Sequence, residues 1–351
     1  MTPSIGSTGR EIQLVRYPQG AVRPSDFRTI TVDIAEPREG EVLVRNTWMS
    51  IDPGLRLRLR PESPIGYWPA QALGETLGGA LAVGEVVASR AEGFRPGDIV
   101  SHASGWREYA VVRADQVALG GIGTLRRLDT TCAPARAYLG VLGGTGLTAY
   151  AGIARLAELR AGEVVWVSAA AGAVGSLAAQ IAKLREARVI GSAGSDAKVA
   201  SLLRDVGLDG AFNHRSAPVR DLLAEAAPEG IDVYFDNVGG GHLAAALEVL
   251  RPRGRVVLCG MISTYEDARS PSDSPDLLLA VTKELSLRGL RGSAHVDLLP
   301  ELWREVGAWL REGRLVDRET VVDGLENAPL ALARLMRGET EGKTLVRIAE
   351  E

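Results

Sequence analysis

Cysteine is almost missing from this chain: only Cys132 and Cys259 occur among 351 residues, and they lie far apart. Neither a disulfide framework nor a cysteine-rich zinc site can be written from that pair, which fits a reducing cytoplasm. Lysine is nearly as rare, since 36 of the 40 basic residues are Arg and only Lys183, Lys198, Lys283 and Lys343 are Lys. A GC-rich genome produces such a bias, and it makes the position of each lysine worth locating. Excess charge is lacking too. The 40 basic and 44 acidic residues leave a net charge of −4, no footprint for a polyanion, so nucleic acid is not an expected partner. No apolar stretch approaches the roughly 20 residues of a membrane-spanning helix; the run around Ala169 to Leu177 is short and broken by glycine. Met1 to Arg10 is polar and lacks the basic start and apolar run of a signal peptide. The expectation is a cytoplasmic protein without a membrane segment.

What the chain does have is length for about two domains and 46% hydrophobic residues to fill them. Residues 1–130 alternate short β-like runs (Ile30–Ile34, Glu41–Asn46, Gly84–Ser89, Asp98–His102, Tyr109–Val112) with Pro and Gly turn signals, and read as a β-rich domain. From 131 to 310 the rhythm becomes strand, helix, strand. The strands are Val164–Ser168, Val189–Ser192, Gly210–Asn213, Ile231–Asp236, Arg255–Cys259 and Leu285–Leu290, with helix-length segments between them. Consecutive crossovers of this kind specify a doubly wound parallel sheet, an α/β Rossmann architecture. Residues 311–351 carry a β-like Thr320–Val322, a helix-like Pro329–Arg337 and a strand Lys343–Ile348, and look like the first domain resumed.

The first of those strands runs into Ala169-Ala170-Ala171-Gly172-Ala173-Val174-Gly175 and an Ala/Leu-rich helix. The turn follows the dinucleotide fingerprint with Ala170 in place of the first glycine. Gly172 allows close approach of a pyrophosphate, Gly175 allows the helix to pack on its strand, and the helix N-terminus offers free N–H groups. After the second strand, NAD-binding chains place an acidic residue for the ribose 2′-hydroxyl. Here the residues are Gly191-Ser192-Ala193-Gly194-Ser195-Asp196-Ala197-Lys198. The small residues, Ser195 among them, leave room for a 2′-phosphate that Lys198 could pair with, which favours NADP(H). The alternative is that Lys198 is a solvated helix residue and Asp196 holds the ribose.

Several segments beyond that turn resemble the zinc-independent branch of the medium-chain dehydrogenase/reductases, in the group of prostaglandin reductases (leukotriene B4 12-hydroxydehydrogenases), alkenal double-bond reductases and curcumin reductase. They are Asn46-Thr47-Trp48-Met49-Ser50-Ile51-Asp52-Pro53, Leu73-Gly74-Glu75, Gly105-Trp106-Arg107-Glu108-Tyr109, Gly146-Leu147-Thr148-Ala149-Tyr150, Phe235-Asp236-Asn237-Val238-Gly239-Gly240, Leu258-Cys259-Gly260-Met261-Ile262-Ser263 and Gly324-Leu325-Glu326-Asn327-Ala328-Pro329. The resemblance implies a GroES-like β-rich catalytic domain, completed by the C-terminal return, around a Rossmann domain. It also implies NADPH-dependent reduction of a carbon–carbon double bond conjugated to a carbonyl, with hydride to the β-carbon and a proton to the α-carbon.

Transferred residue by residue, the resemblance places Gly172, Ala173, Val174 and Gly175 at the pyrophosphate and Lys198 at the 2′-phosphate. Asn237 and Cys259, Gly260, Met261 and Ile262 fall near the nicotinamide half, Cys259 through its backbone. Tyr265 is the expected proton donor or substrate-orienting phenol, and Asn46, Tyr67 and Trp68 the substrate pocket. Bland readings stand beside these: Asn237 as a turn residue, Tyr265, Tyr67 and Trp68 as packing. His102, His214, His242 and His295 are scattered singles that read as structural or surface residues. The chain also departs from its relatives. His214 stands where a Tyr often meets a cofactor phosphate, a contact that passes to His214 or Arg215 or is lost. Thr340 replaces an Asn near the cofactor, and Leu290–His295 is unusual beside the expected active site.

No metal is expected, because Ser50-Ile51-Asp52 and Gly74-Glu75-Thr76 supply none of the ligands of zinc-dependent cousins, and no G-x-S-x-G nucleophile elbow occurs. Two other functions stay open at this point: reductive ring closure of a polyene natural product, and a noncatalytic NADPH-binding role of the quinone-reductase-like kind. The family also implies a homodimer formed through the last Rossmann strand.

Overall fold

The computed structural model describes residues 7–266 and 275–350, so most of the Met1–Arg10 opening lies outside the described residues. The chain forms two units, one of residues 1–144 with 319–351 and one of residues 145–318.

In the first unit, β1 (Thr8–Leu14) and β2 (Phe27–Asp33) make an antiparallel ribbon. The larger sheet is organised by β3 (Glu41–Ile51), which pairs with β4 (Ala82–Ser89) and with β6 (Tyr109–Arg113). β5 (Ile99–His102) continues from β4 to a short β7 (Arg126–Arg127). β3 runs beyond the expected Asn46 because Trp48, Met49 and Ile51 are buried and extend the apolar pattern. Its register with β4 shifts between Asn46 and Trp48. There a Cβ on Gly84 would stand 2.2 Å from the Arg45 carbonyl oxygen, so only glycine fits. β1 was not anticipated, although Ile12 and Leu14, both fully buried and alternating with Glu11 and Gln13, carry the period-two signal.

One buried polar network ties this sheet together. His102 Nδ1 accepts from the Ser104 N–H (3.1 Å), which leaves the hydrogen on Nε2 to donate to Asn46 Oδ1 (2.9 Å). Asn46 Nδ2 donates to the carbonyls of Ser104 (3.1 Å) and Arg107 (2.8 Å). Burial, with Arg107 adding to it, pushes the His102 imidazole down to about 3, so the ring is held neutral.

The second unit starts at α1 (Gly144–Tyr150), which continues into a π-helical stretch, Ala151–Leu156. There follow β8 (Val164–Val167), α2 (Ala173–Leu184), β9 (Arg188–Ala193), α3 (Asp196–Arg204), β10 (Gly210–Asn213), α4 (Val219–Ala226) and β11 (Ile231–Asp236). α5 (Gly240–Val249), β12 (Leu250–Leu258), α6 (Leu278–Thr282), β13 (Ser286–Gly289) and α7 (Leu299–Arg311) complete it. All six strands are parallel, in the order β10-β9-β8-β11-β12-β13. The sheet order reverses direction between β8 and β11, the switch point where such sheets bind ligands. Val165, Trp166 and Val167 are fully buried, as befits a central strand covered on both faces.

The chain then returns to the first unit as β14 (Glu319–Asp323), α8 (Ala328–Met336) and β15 (Lys343–Arg347), with β15 parallel to β14 and antiparallel to β3. The junctions thus fall at 144/145 and 318/319 rather than near 130 and 310. Ala135 and Leu139 explain the first shift, because they fill an apolar cluster with Trp48, Val83 and Leu345 of the β-rich unit. No helix of the described residues is long and apolar enough to cross a membrane.

His102 gives a prediction about pH. Between pH about 6.5 and about 3 the unfolded chain binds a proton that the folded one refuses, so stability falls as pH falls, by up to about 1.4 kcal/mol per unit. Urea midpoints at about pH 7.5 and about pH 5 should fall more in the parent chain than in His102→Gln, whose amide does not titrate. Equal drops would show that the ring accepts its proton inside the fold.

Candidate cofactor site and active site

The turn after β8 has the geometry of a phosphate cradle. Ala169 takes a left-handed conformation (φ 47°), and its carbonyl accepts from Gly172 N–H at 2.9 Å. A Cβ on Gly175 would lie 2.3 Å from the Ala169 oxygen and 3.0 Å from Ala170 Cα, so α2 can approach its strand only with glycine there. A Cβ on Gly172 would meet only the Ala169 oxygen, at 3.2 Å, which leaves that side of the turn open. No side chain caps α2 and no acidic residue occupies its first turn. The N–H groups of Ala173, Val174 and Gly175 and the positive helix pole are therefore left for an anion. A pyrophosphate fits this arrangement.

Ala170 in place of glycine has a local compensation that the sequence did not suggest. A Cβ on Gly191 of β9 would come within 2.9 Å of the Ala170 methyl and 2.8 Å of Leu208 Cδ1. The glycine has moved to the facing strand.

α3 begins differently. Ser195 caps it, accepting from Lys198 N–H (3.4 Å), and Asp196 sits in its first turn. Ser195 therefore serves the backbone. Asp196 Oδ1 accepts from Asn213 Nδ2 (2.8 Å), which engages half of the carboxylate that the rival reading assigned to the ribose. Lys198 is half-buried on the same turn, and His214 and Arg215 follow β10.

Asn237, at the carboxyl end of β11, is clamped. Its backbone N–H donates to Ser168 Oγ (3.0 Å) and its Nδ2 to the Ser168 carbonyl (2.7 Å), which turns Oδ1 away from Ser168 as an acceptor. Asp236 holds the following turn, accepting at Oδ1 from Val238 N–H (2.9 Å), Gly239 N–H (2.8 Å) and Tyr234 Oη (2.7 Å). Burial outweighs these bonds and raises the Asp236 carboxyl. Ser168 and Asp236 are positioning groups missed in the sequence; a serine ending an apolar strand and an aspartate fully buried in one were the available signals.

The Cys259–Ile262 segment is hung from this turn: Cys259 and Gly260 N–H donate to the Asp236 carbonyl (2.8 and 3.0 Å), and Ile262 N–H to that of Asn237 (3.3 Å). Burial pushes the Cys259 thiol up to about 12, so it stays protonated at neutral pH. Tyr265 Oη accepts from Met261 N–H (3.4 Å), and burial raises its phenol above the ordinary range. The second unit thus brings Asn237, Cys259, Gly260, Met261, Ile262 and Tyr265 into one neighbourhood.

In the β-rich unit, Tyr67 and Trp68 are half-buried with ring centroids 5.0 Å apart, and Tyr67 Oη donates to the Gly54 carbonyl (3.3 Å). Asn46 does not line a pocket. It is fully buried, with both ends of its amide bound to His102, Ser104 and Arg107, and it shapes the framework instead. Thr340 is buried shortly before β15. Among the described residues no three His, Cys, Asp or Glu side chains are grouped so as to hold a metal ion.

Residues 10–119 match the family model described as the N-terminal domain of oxidoreductase, and residues 173–312 match that of zinc-binding dehydrogenase. The chain is 35% identical to an NADPH-dependent curcumin reductase of Escherichia coli over 341 residues, 96% of each chain. It is also 35% identical to an NADP-dependent 2-alkenal reductase of Nicotiana tabacum over 350 residues, 98% of each. A solved structure of CurA from Vibrio vulnificus in complex with NADPH superposes with a TM-score of 0.89 at 32% identity, covering 97% of this chain and all of that one.

The Ala170–Gly191 exchange can be tested by stability. Gly191→Ala overpacks the turn and costs about 1–3 kcal/mol, and adding Ala170→Gly recovers part of the loss. Additive losses in the thermal midpoints of the single and double variants would show that the two positions do not share the space.

Proposed function

The chain belongs to the zinc-independent branch of the medium-chain dehydrogenase/reductases, among the prostaglandin and alkenal double-bond reductases, and from that premise we propose that it uses NADPH to reduce a carbon–carbon double bond conjugated to a carbonyl. One observation carries the reading. An uncapped glycine-bearing helix start at Gly172–Gly175 follows β8, and the neighbouring β9 and β10 lead to Lys198 on α3 and to His214 and Arg215, while the Asp196 carboxylate there is bonded to Asn213. A cradle with a basic rim suits a dinucleotide that carries an additional phosphate.

In this reading the α2 N-terminus holds the pyrophosphate and Lys198 the 2′-phosphate, while Asn237 Oδ1 and the backbone of Cys259–Ile262 orient the nicotinamide half. The bound cofactor supplies a hydride to the β-carbon of the substrate. The chain's task is then to steady the negative charge that grows on the carbonyl oxygen and to deliver a proton to the α-carbon. Tyr265 is suited to the first and to passing on a proton, since its phenol is kept protonated at neutral pH by burial. The Rossmann sheet ends at β13, and Leu277, Leu278 and Val281, in the segment that leads into it through α6, are largely exposed. These features support a homodimer built along that edge.

The test is oxidation of NADPH and NADH against a panel of α,β-unsaturated ketones and aldehydes, with product masses recorded. Saturated carbonyl products and a preference for NADPH are expected. Lys198→Ala should raise KM for NADPH about tenfold, ~1.4 kcal/mol, and leave that for NADH unchanged. Tyr265→Phe should lower kcat about 100-fold. Cofactor binding without turnover of any enone would sink the proposal.

A further inference from the structure

The carboxyl ends of β9 and β10 bring three bases to one place. Gly194 has no side chain, and a methyl there would lie 3.3 Å from His214 Cε1 and 3.5 Å from Arg215 Cζ and Nε. Imidazole and guanidinium therefore cover the same bare backbone. Lys198 on α3 is near enough for its charge to act on the same ring. From α5, His242 meets His214 edge to face with centroids 5.1 Å apart, and is itself stacked on Trp166. Nδ1 of His214 and Nε2 of His242 are buried without a hydrogen-bond partner. The acid of this corner, Asp196, is exposed and bonded to Asn213.

Within the chain alone these surroundings keep His214 neutral: burial lowers its pKa first, and the charges of Arg215 and Lys198 lower it further. A phosphate dianion reverses the balance, because it offsets both fixed cations and gives an imidazole N–H an acceptor. We propose that His214 is the proton-linked third arm of the 2′-phosphate site, taking one proton from solvent as the phosphate docks with Lys198 and Arg215. No bond to phosphorus is made or broken. The inference rests on the NADPH reading above and adds that discrimination against NADH weakens as pH rises.

Calorimetric titration of 2′,5′-ADP and of ADP between about pH 6.5 and about pH 8.5, in two buffers of unlike ionisation enthalpy, tests it. Proton uptake accompanies 2′,5′-ADP but not ADP, and affinity for 2′,5′-ADP falls by up to about tenfold per pH unit. The phosphate's own second ionisation, near pH about 6, acts in the opposite sense and cannot imitate this. His214→Gln and His214→Tyr, each checked for parental thermal unfolding, lose the uptake and the pH slope, and the Tyr variant still binds 2′,5′-ADP. Binding without proton uptake, or uptake that survives both substitutions, overturns the inference and leaves the cofactor reading standing. If 2′,5′-ADP binds no better than ADP at any pH, the NADPH reading itself fails.

Discussion

The Rossmann unit depends on how near α2 can come to the turn that precedes it. At Gly175 the helix passes so close to the Ala169 carbonyl that a single methyl group would collide with it, and that contact aims the first turn of α2 along the sheet's carboxyl edge. Ala170 and Gly191 solve the same spatial problem on the other side of β8. If the helix were displaced by the width of a methyl group, its N–H groups would no longer converge where the strand order reverses. The Ser168–Asn237 clamp works from the same turn. A serine at the end of β8 fixes the amide at the end of β11, so the turn after one strand and the turn after its neighbour are set by residues bracketing one strand pair.

The four lysines retained in an arginine-rich chain have distinct surroundings. Lys283 donates to the carbonyls of Leu247, Glu248 and Leu250, ending α5 with a tripod that a planar guanidinium could not copy. Lys343 is buried with its ammonium on Asp52 at 2.5 Å. Lys183 pairs with Asp209 at 2.8 Å across a half-exposed surface. Lys198, on α3, lies close enough to His214 for its charge to act on that ring.

Much of this was legible in the sequence, for physical reasons. The buried parallel strand Ile231–Asp236 forms where its apolar run ends in turn residues, because a strand covered on both faces cannot disguise itself, and the edge strand Gly210–Asn213 was marked by the turn residues that follow it. The glycine turn at Gly172–Gly175 was legible because Gly175 answers a steric demand. Asn46 was misread, since a polar residue in a family segment gives no sign of whether its amide faces a ligand or three protein partners. The roles of Ser168, Asp236 and Gly191 could not be read from sequence, because their meaning comes from a facing strand or turn, a relation that local pattern does not carry. The unit boundaries slipped for a similar reason: Ala135 and Leu139 look like linker until Trp48 and Leu345 are placed around them.

The pairing of β15 with β3 has a bearing on how the protein is born. Thr344 lies opposite Ile51, and Arg347 opposite Trp48, so the sheet of the β-rich unit needs residues from nearly opposite ends of the chain. The Rossmann unit is a continuous stretch and can fold as soon as its own strands have left the ribosome. The first unit emerges earlier yet must wait, the Trp48–Ile51 stretch of β3 lacking its β15 partner, until residues 343–347 are synthesised and close a loop that spans the whole second unit. The order of synthesis is therefore the reverse of the order of completion, and the Trp48–Ile51 end of β3 is where a nascent chain is most open to chaperone capture or mispairing.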